Sequence, residues 1–236
     1  MTTCLLIRHG QSEANVDGIL AGHLDSRLTD AGTTQVRRLA ETLSAVPVRL
    51  VVTSPLQRCA VTAREIVAAQ PGRPHAQPDE RIVEVRYGAW TGRPLKELAS
   101  EELWSAIQST PSSVTFPADP VHASESMTAM TDRAWEAWQE WDHTIGETYG
   151  AQAVWALVSH GDVIKALLAR AMGLALDAFQ SIVVDPASVS VVHRMGDRTA
   201  VGAMNVREDV IQRLAEAASS SGQPAANAGT VGGGNG

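Results

Sequence analysis

Cysteine is scarce in this sequence: Cys4 and Cys59 are the two among 236 residues. They give neither a disulfide framework nor a zinc-ligand spacing. Cys4 lies in a strand-like apolar run and Cys59 in a helical one, as small buried groups of a reducing compartment do. An excess of positive charge is also missing. The formal net charge is −7, and no basic stripe with interleaved aromatics occurs, which speaks against nucleic acid as a partner. No apolar run reaches membrane-spanning length, and no basic region precedes a signal-type stretch near Met1. The expectation is therefore a cytoplasmic protein with no membrane partner. Internal repeats are absent. The length suits one large α/β domain that needs no staples.

Cys4-Leu5-Leu6-Ile7 is an apolar run of strand type that leads into Arg8-His9-Gly10. Thr29 is placed as the N-cap of a helix reaching about Ala45, with Val36, Leu39, Ala40 and Leu43 on one face and Pro47 as its stop. Leu50-Val51-Val52 reads as a second buried strand. Ser54 followed by Pro55 reads as the cap and first residue of the next helix, with Arg58 in its first turn. A short strand is allowed between Pro71 and Pro78. Glu125 to about Tyr149 is the clearest helix, and its Met127, Met130, Ala134, Trp138, Trp141 and Ile145 stripe is assigned to the core. Ala153–Val158 is a further apolar strand running into Ser159-His160-Gly161-Asp162, followed by a helix ending near Gly173. Val189–His193 and Thr199–Met204 form a closing hairpin.

This alternation predicts a three-layer α/β/α sandwich around a mostly parallel sheet. Residues 1–218 are assigned to one domain, with a lid or substrate-selecting insertion around 93–124. The Gly, Ser and Ala-rich stretch 219–236 is expected to be a disordered tail.

Ligands bind at the carboxyl ends of parallel strands, which share one edge. That edge receives Arg8-His9-Gly10, Thr53-Ser54-Pro55 with Arg58, and Ser159-His160-Gly161. Two histidines and two arginines around one cleft, with helix N-termini aimed at it, suit a phosphate group. Neighbouring cations favour a neutral imidazole, the form that attacks phosphorus. An acid must then protonate the departing alkoxide. Glu84 is the candidate, with Glu80 and Glu13 as alternatives, and a protonated carboxyl beside phosphate favours activity on the acidic side.

These residues resemble the histidine phosphatase superfamily, the phosphoglycerate-mutase-like fold. The likeness rests on Arg8-His9-Gly10 with Ser12 and Asn15, Leu28-Thr29 with Gly32, and Ser54 through Arg58. It continues through Glu84 with Gly88-Ala89-Trp90-Thr91-Gly92 and Val158 through Gly161, in order over about residues 3–205. The resemblance implies His9 as the nucleophile that becomes phosphohistidine. It implies Arg8, Arg58 and His160 as holders of the phosphoryl oxygens, and Glu84 as proton donor and then base. Asn15 would orient the phosphate or His9. It implies no metal and no cofactor, and a small phosphorylated substrate as the partner. Dimers are common among such folds, and an exposed Trp135 is a candidate contact.

Two departures bear on activity. Ala21 stands where relatives often carry a polar side chain, and Gly161-Asp162-Val163 replaces the Gly-Asn-Ser that follows the second histidine of true mutases. Ala21 removes one phosphate donor; the Gly161-Asp162-Val163 sequence and the way Tyr87-Gly88 continues through Gly92 favour a phosphatase over a mutase, while a weakly active phosphate-binding protein is the reading of another class. Asp162 would repel a second phosphate unless it turns away, and is otherwise a helix cap. Glu125 with Arg133 is read as a structural network, and Tyr87 and Trp90 as loop packing. His23, His75, His122, His143 and His193 receive no role.

Overall fold

The computed structural model describes residues 1–207, so the expected end of the domain at 218 and the tail over 219–236 fall outside the described residues. In chain order the elements are β1 (Thr2–Arg8), α1 (Glu13–Asp17), α2 (Asp30–Leu43), β2 (Val48–Thr53), α3 (Gln57–Ala69) and β3 (His75–Pro78). They continue with α4 (Leu95–Leu98), α5 (Glu102–Ser109), α6 (Met127–Tyr149), β4 (Val154–Ser159), α7 (Gly161–Ala171), β5 (Val189–Met195) and β6 (Arg198–Val206). The six strands form one sheet in the order β3-β2-β4-β1-β5-β6. The first four in that order are mutually parallel, and the β5–β6 hairpin adds antiparallel to β1.

Side chains that alternate along a central strand feed two different cores. From β1, Cys4 and Leu6 join Trp155 and Leu157 of β4 beneath α6 and α7. Leu5 and Ile7 join Ala156 and Val158 beneath α2 and α3. Continuous apolar runs are what a sheet covered on both faces requires, and the result is a three-layer α/β/α sandwich. The stripe on α6 is buried at Met127, Met130, Ala134, Trp138 and Ile145, while Trp141 is half-exposed and donates its indole N–H to Asp79 at 2.7 Å. Trp138→Ala should leave a large void in this core and lower stability by about 3–5 kcal/mol, read by urea titration.

Several local readings change. The helix capped by Thr29 stops at Leu43, short of Ala45. Trp135 is half-buried, stacked on Trp138 at 4.9 Å and covered by Arg170, so it is not the exposed contact expected of it. The 93–124 segment carries α4 and α5, and its later part pairs with the site-bearing loop. The Gly88 amide donates to the Ala123 carbonyl and the Ala89 amide to Pro117, each at 3.0 Å. Among the described residues no helix is long and apolar enough to cross a membrane.

Candidate active site

β1, β2 and β4 end in one row: register pairs Arg8 with Ser159 and Thr53 with Val158. His9 follows β1 directly, and Arg58 lies in the first turn of α3. His160 follows β4 as the N-cap of α7. Gly10 is needed here because the chain passes close to α2: a Cβ on it would stand 2.6 Å from Val36 Cγ2 and 2.7 Å from the Gly32 carbonyl. Glu84 comes from the loop after β3. Arg8, His9, Arg58, Glu84 and His160 are all buried. The cleft above them is lined by His9, Ser12, Asn15, Arg58, Glu84, Tyr87 and the 19–22 stretch. Glu13 and Glu80 are exposed and do not line this cleft, which leaves Glu84 as its carboxyl group.

His9 is oriented by its own chain. Its Nδ1 lies 2.7 Å from the Gly10 carbonyl oxygen. A carbonyl only accepts, so Nδ1 carries the proton and Nε2 presents its lone pair to Arg58 Nε at 3.3 Å. Burial first, and then the charges of Arg58 and Arg8, hold the imidazole well below its ordinary titration range. It is neutral at physiological pH. His160 stands edge-on to His9 with ring centroids 5.3 Å apart. Burial, then Arg58, lowers it in the same sense.

Ser54 supplies a correction. It does not cap α3, whose N-cap is Leu56 with no side-chain bond. Its hydroxyl oxygen accepts the Leu56 amide at 3.4 Å, just ahead of the helix, and meets His160 Nε2 at 2.8 Å, with Cys59 Sγ 3.5 Å from the same nitrogen.

The two arginines are fixed by carbonyls. Arg8 donates from Nη1 to Val184 at 2.7 Å. Arg58 donates from Nη2 to Gly22 at 2.7 Å and from Nη1 to Leu24 at 3.1 Å, tying the loop that carries Ala21 to the site. Gly22 takes a φ of 52°, a left-handed conformation that a side chain would strain.

Glu84 accepts the Val85 amide at 3.0 Å. Burial first, and then the negative charge of Asp162, pushes its carboxyl up to about 8, against the opposing pull of Arg58 and Arg8. Its carbonyl accepts from His23 Nε2 at 2.7 Å and from Arg133 Nη2 at 3.1 Å. Arg133 also grips Glu125 at 2.6 and 3.0 Å, so this pair is a brace behind Glu84. Arg133→Met leaves Glu125 with the Arg86 amide at 3.0 Å and the Arg86 guanidinium at 3.6 Å, but it takes the donors from the Val83 and Glu84 carbonyls. Denaturant titration should show a loss of about 1–3 kcal/mol, and kinetics a fall in kcat as Glu84 loosens.

Asn15 sits at the cleft wall, and its Oδ1 accepts the Ser12 amide and hydroxyl, both at 3.0 Å, closing a capping box on α1. Sequence reasoning missed the roles of His23 and Ser54 as supports and the placement of Asp162. Asp162 turns from a capping geometry to accept the Tyr87 hydroxyl at 2.6 Å. The adjacency of Asp162 to His160-Gly161 was the available signal.

A family model of the histidine phosphatase superfamily, branch 1, matches residues 4–207. The chain belongs to this superfamily. Among curated relatives, phosphoserine phosphatase 1 of Hydrogenobacter thermophilus is 28% identical over 87% of this chain and 93% of its own length. Glucosyl-3-phosphoglycerate phosphatase of Mycolicibacterium vanbaalenii is 30% identical over 73% of this chain and 75% of its own. The solved structure of mycobacterial hydrolase 1 covers 87% of this chain and 98% of its own with a TM-score of 0.76; at 24% identity it speaks for the fold. This histidine phosphatase superfamily member is thus a phosphatase on the phosphoglycerate-mutase-like α/β fold.

Proposed function

We propose that this phosphatase is a metal-independent phosphomonoesterase that hydrolyses a small phosphorylated metabolite through a phosphohistidine on His9. The observation that carries the reading is that the Nδ1 bond to Gly10 leaves the lone pair of His9 on Nε2, where it accepts only a long 3.3 Å bond from Arg58 Nε in the cleft that holds Glu84. Arg8, Arg58 and His160 hold the phosphoryl oxygens and stabilise charge spread over them. His160 does so as a donor once a phosphate reorients its hydrogen bond with Ser54. Asn15 helps to wall the phosphate in.

His9 Nε2 attacks phosphorus as the ester P–O bond breaks, and Glu84 gives its proton to the departing alkoxide. Glu84, now a carboxylate, takes a proton from water as the water oxygen attacks the phosphohistidine. The P–N bond breaks, inorganic phosphate leaves and His9 is restored. A Glu84 carboxyl near 8 extends this chemistry from the acidic side into the neutral range.

The test is a screen of phosphorylated metabolites for released phosphate in the presence of a chelator, with phosphoserine, phosphoglycerates and sugar phosphates included. Free phosphate from at least one ester is expected. Conversion of 3-phosphoglycerate to its isomer without phosphate release points to a mutase. Tight binding without turnover points to a binding protein.

A further inference from the structure

Two carboxyl groups are buried about the cleft: Glu84, 5% exposed, lines it, and Asp162, fully covered, stands behind Tyr87, which lines it too and bonds Asp162. Neighbouring buried carboxylates do not both ionise cheaply, and their surroundings decide which one keeps the proton. The surroundings here are unequal. Asp162 lies in the first turn of the eleven-residue α7, where the helix start favours negative charge. Its Oδ2 accepts the Tyr87 hydroxyl at 2.6 Å. Lys165 follows on the same helix, almost wholly buried, its ammonium donating to Gln180 at 2.7 Å. Glu84, by contrast, accepts the amide of its own neighbour Val85.

Tyr87 is well placed to hold this asymmetry. It is buried, its ring meets Phe116 edge-on at 4.9 Å, and burial with the nearby Asp162 charge keeps its hydroxyl protonated. Phe116 belongs to the segment that pairs beside Tyr87, so the donor is fixed by packing.

We propose that Asp162, held by the Tyr87 hydroxyl, is a positioning residue that keeps the proton on Glu84 and so loads the acid at neutral pH. The inference rests on the reading of Glu84 as the acid. The groups acting on the Glu84 carboxyl fall on either side of the balance. Arg8 from β1 and Arg58 from α3 favour its ionised form; burial and Asp162 from α7 oppose them and prevail. Burial first, and then the arginines, hold His9 and His160 toward their neutral forms. His23, with Arg133, engages the carbonyl of Glu84, and Arg86 and Glu125 lie behind it. Lys165 sits beyond Asp162, its ammonium lowered to about 8 by burial.

The experiment is the pH dependence of kcat/KM, which reports the free enzyme, for the wild type, Asp162→Asn, Tyr87→Phe and Glu84→Gln. Removing the Asp162 charge should move the basic limb down by about one pH unit or more. Removing the hydroxyl leaves the charge on Asp162 less favoured, so part of the proton passes from Glu84 to Asp162, and Tyr87→Phe should lower the plateau of kcat/KM without moving the basic limb down. A downward shift of the limb is not produced by loosened packing, and Asp162→Ser keeps the proposal testable if Asp162→Asn does not fold. A limb that stays in place in the folded Asp162 variants, with kcat alone reduced, overturns the role of Asp162 and leaves Glu84 as the acid. A limb that persists in Glu84→Gln overturns the reading of Glu84 itself, and the present proposal with it.

Discussion

Replacing His9 by alanine is expected to lower kcat by about 10⁴-fold or more and to abolish labelling of the protein by substrate phosphate. The label is read after denaturing quench at alkaline pH, because the P–N bond of a phosphohistidine does not survive acid. The expectation follows from the geometry of one ring. Gly10 fixes Nδ1 as the protonated nitrogen, and burial, then Arg58 and Arg8, keep the ring neutral, so Nε2 is the nucleophile. Alanine removes that atom and leaves the charge clamp intact, so the variant should still bind inorganic phosphate with near wild-type affinity. Retained labelling would place the covalent step elsewhere. Retained turnover without labelling in either protein would mean direct attack by water.

The parts of this site that were legible in the sequence share a physical cause. Arg8, His9, Ser159 and His160 each end or follow an unbroken apolar run, and such runs read as buried parallel strands whose ends meet. Arg58 was legible because the Ser54-Pro55 helix start was visible three to four residues before it. Glu84 was less so: it follows an irregular loop, and its choice over Glu80 and Glu13 needed the cleft. The misread cap at Ser54 is instructive. Ser-Pro is a strong local start signal, and the hydroxyl does accept the Leu56 amide, but its shorter bond is to His160, a partner 106 positions away. The Tyr87–Asp162 bond spans 75 positions and depends on how the 111–126 stretch threads past Gly88, where a Cβ would collide with the Pro117 carbonyl. No periodicity encodes such a path.

Replacing Glu84 by glutamine should lower kcat for an alkyl phosphate by about 10²–10⁴-fold, while p-nitrophenyl phosphate loses far less in its first step. The nitrophenolate leaves without being protonated, so the acid is dispensable there. The second step still needs a base to activate water, so the variant should show a burst of nitrophenolate followed by slow turnover as phosphohistidine accumulates. The same carboxyl sets a pH signature. In the wild type kcat/KM should fall above about pH 8, where Glu84 loses its proton; a rate rising steadily through pH 8 would sink Glu84 as the acid. Stability should follow in the same window. The folded carboxyl is raised from 4.5 to about 8, so its contribution is full below 4.5 and is lost as the pH rises toward 8. Urea titrations at pH 5 and pH 8 should therefore show the wild type losing stability across an interval in which Glu84→Gln, with nothing to deprotonate at that position, loses less.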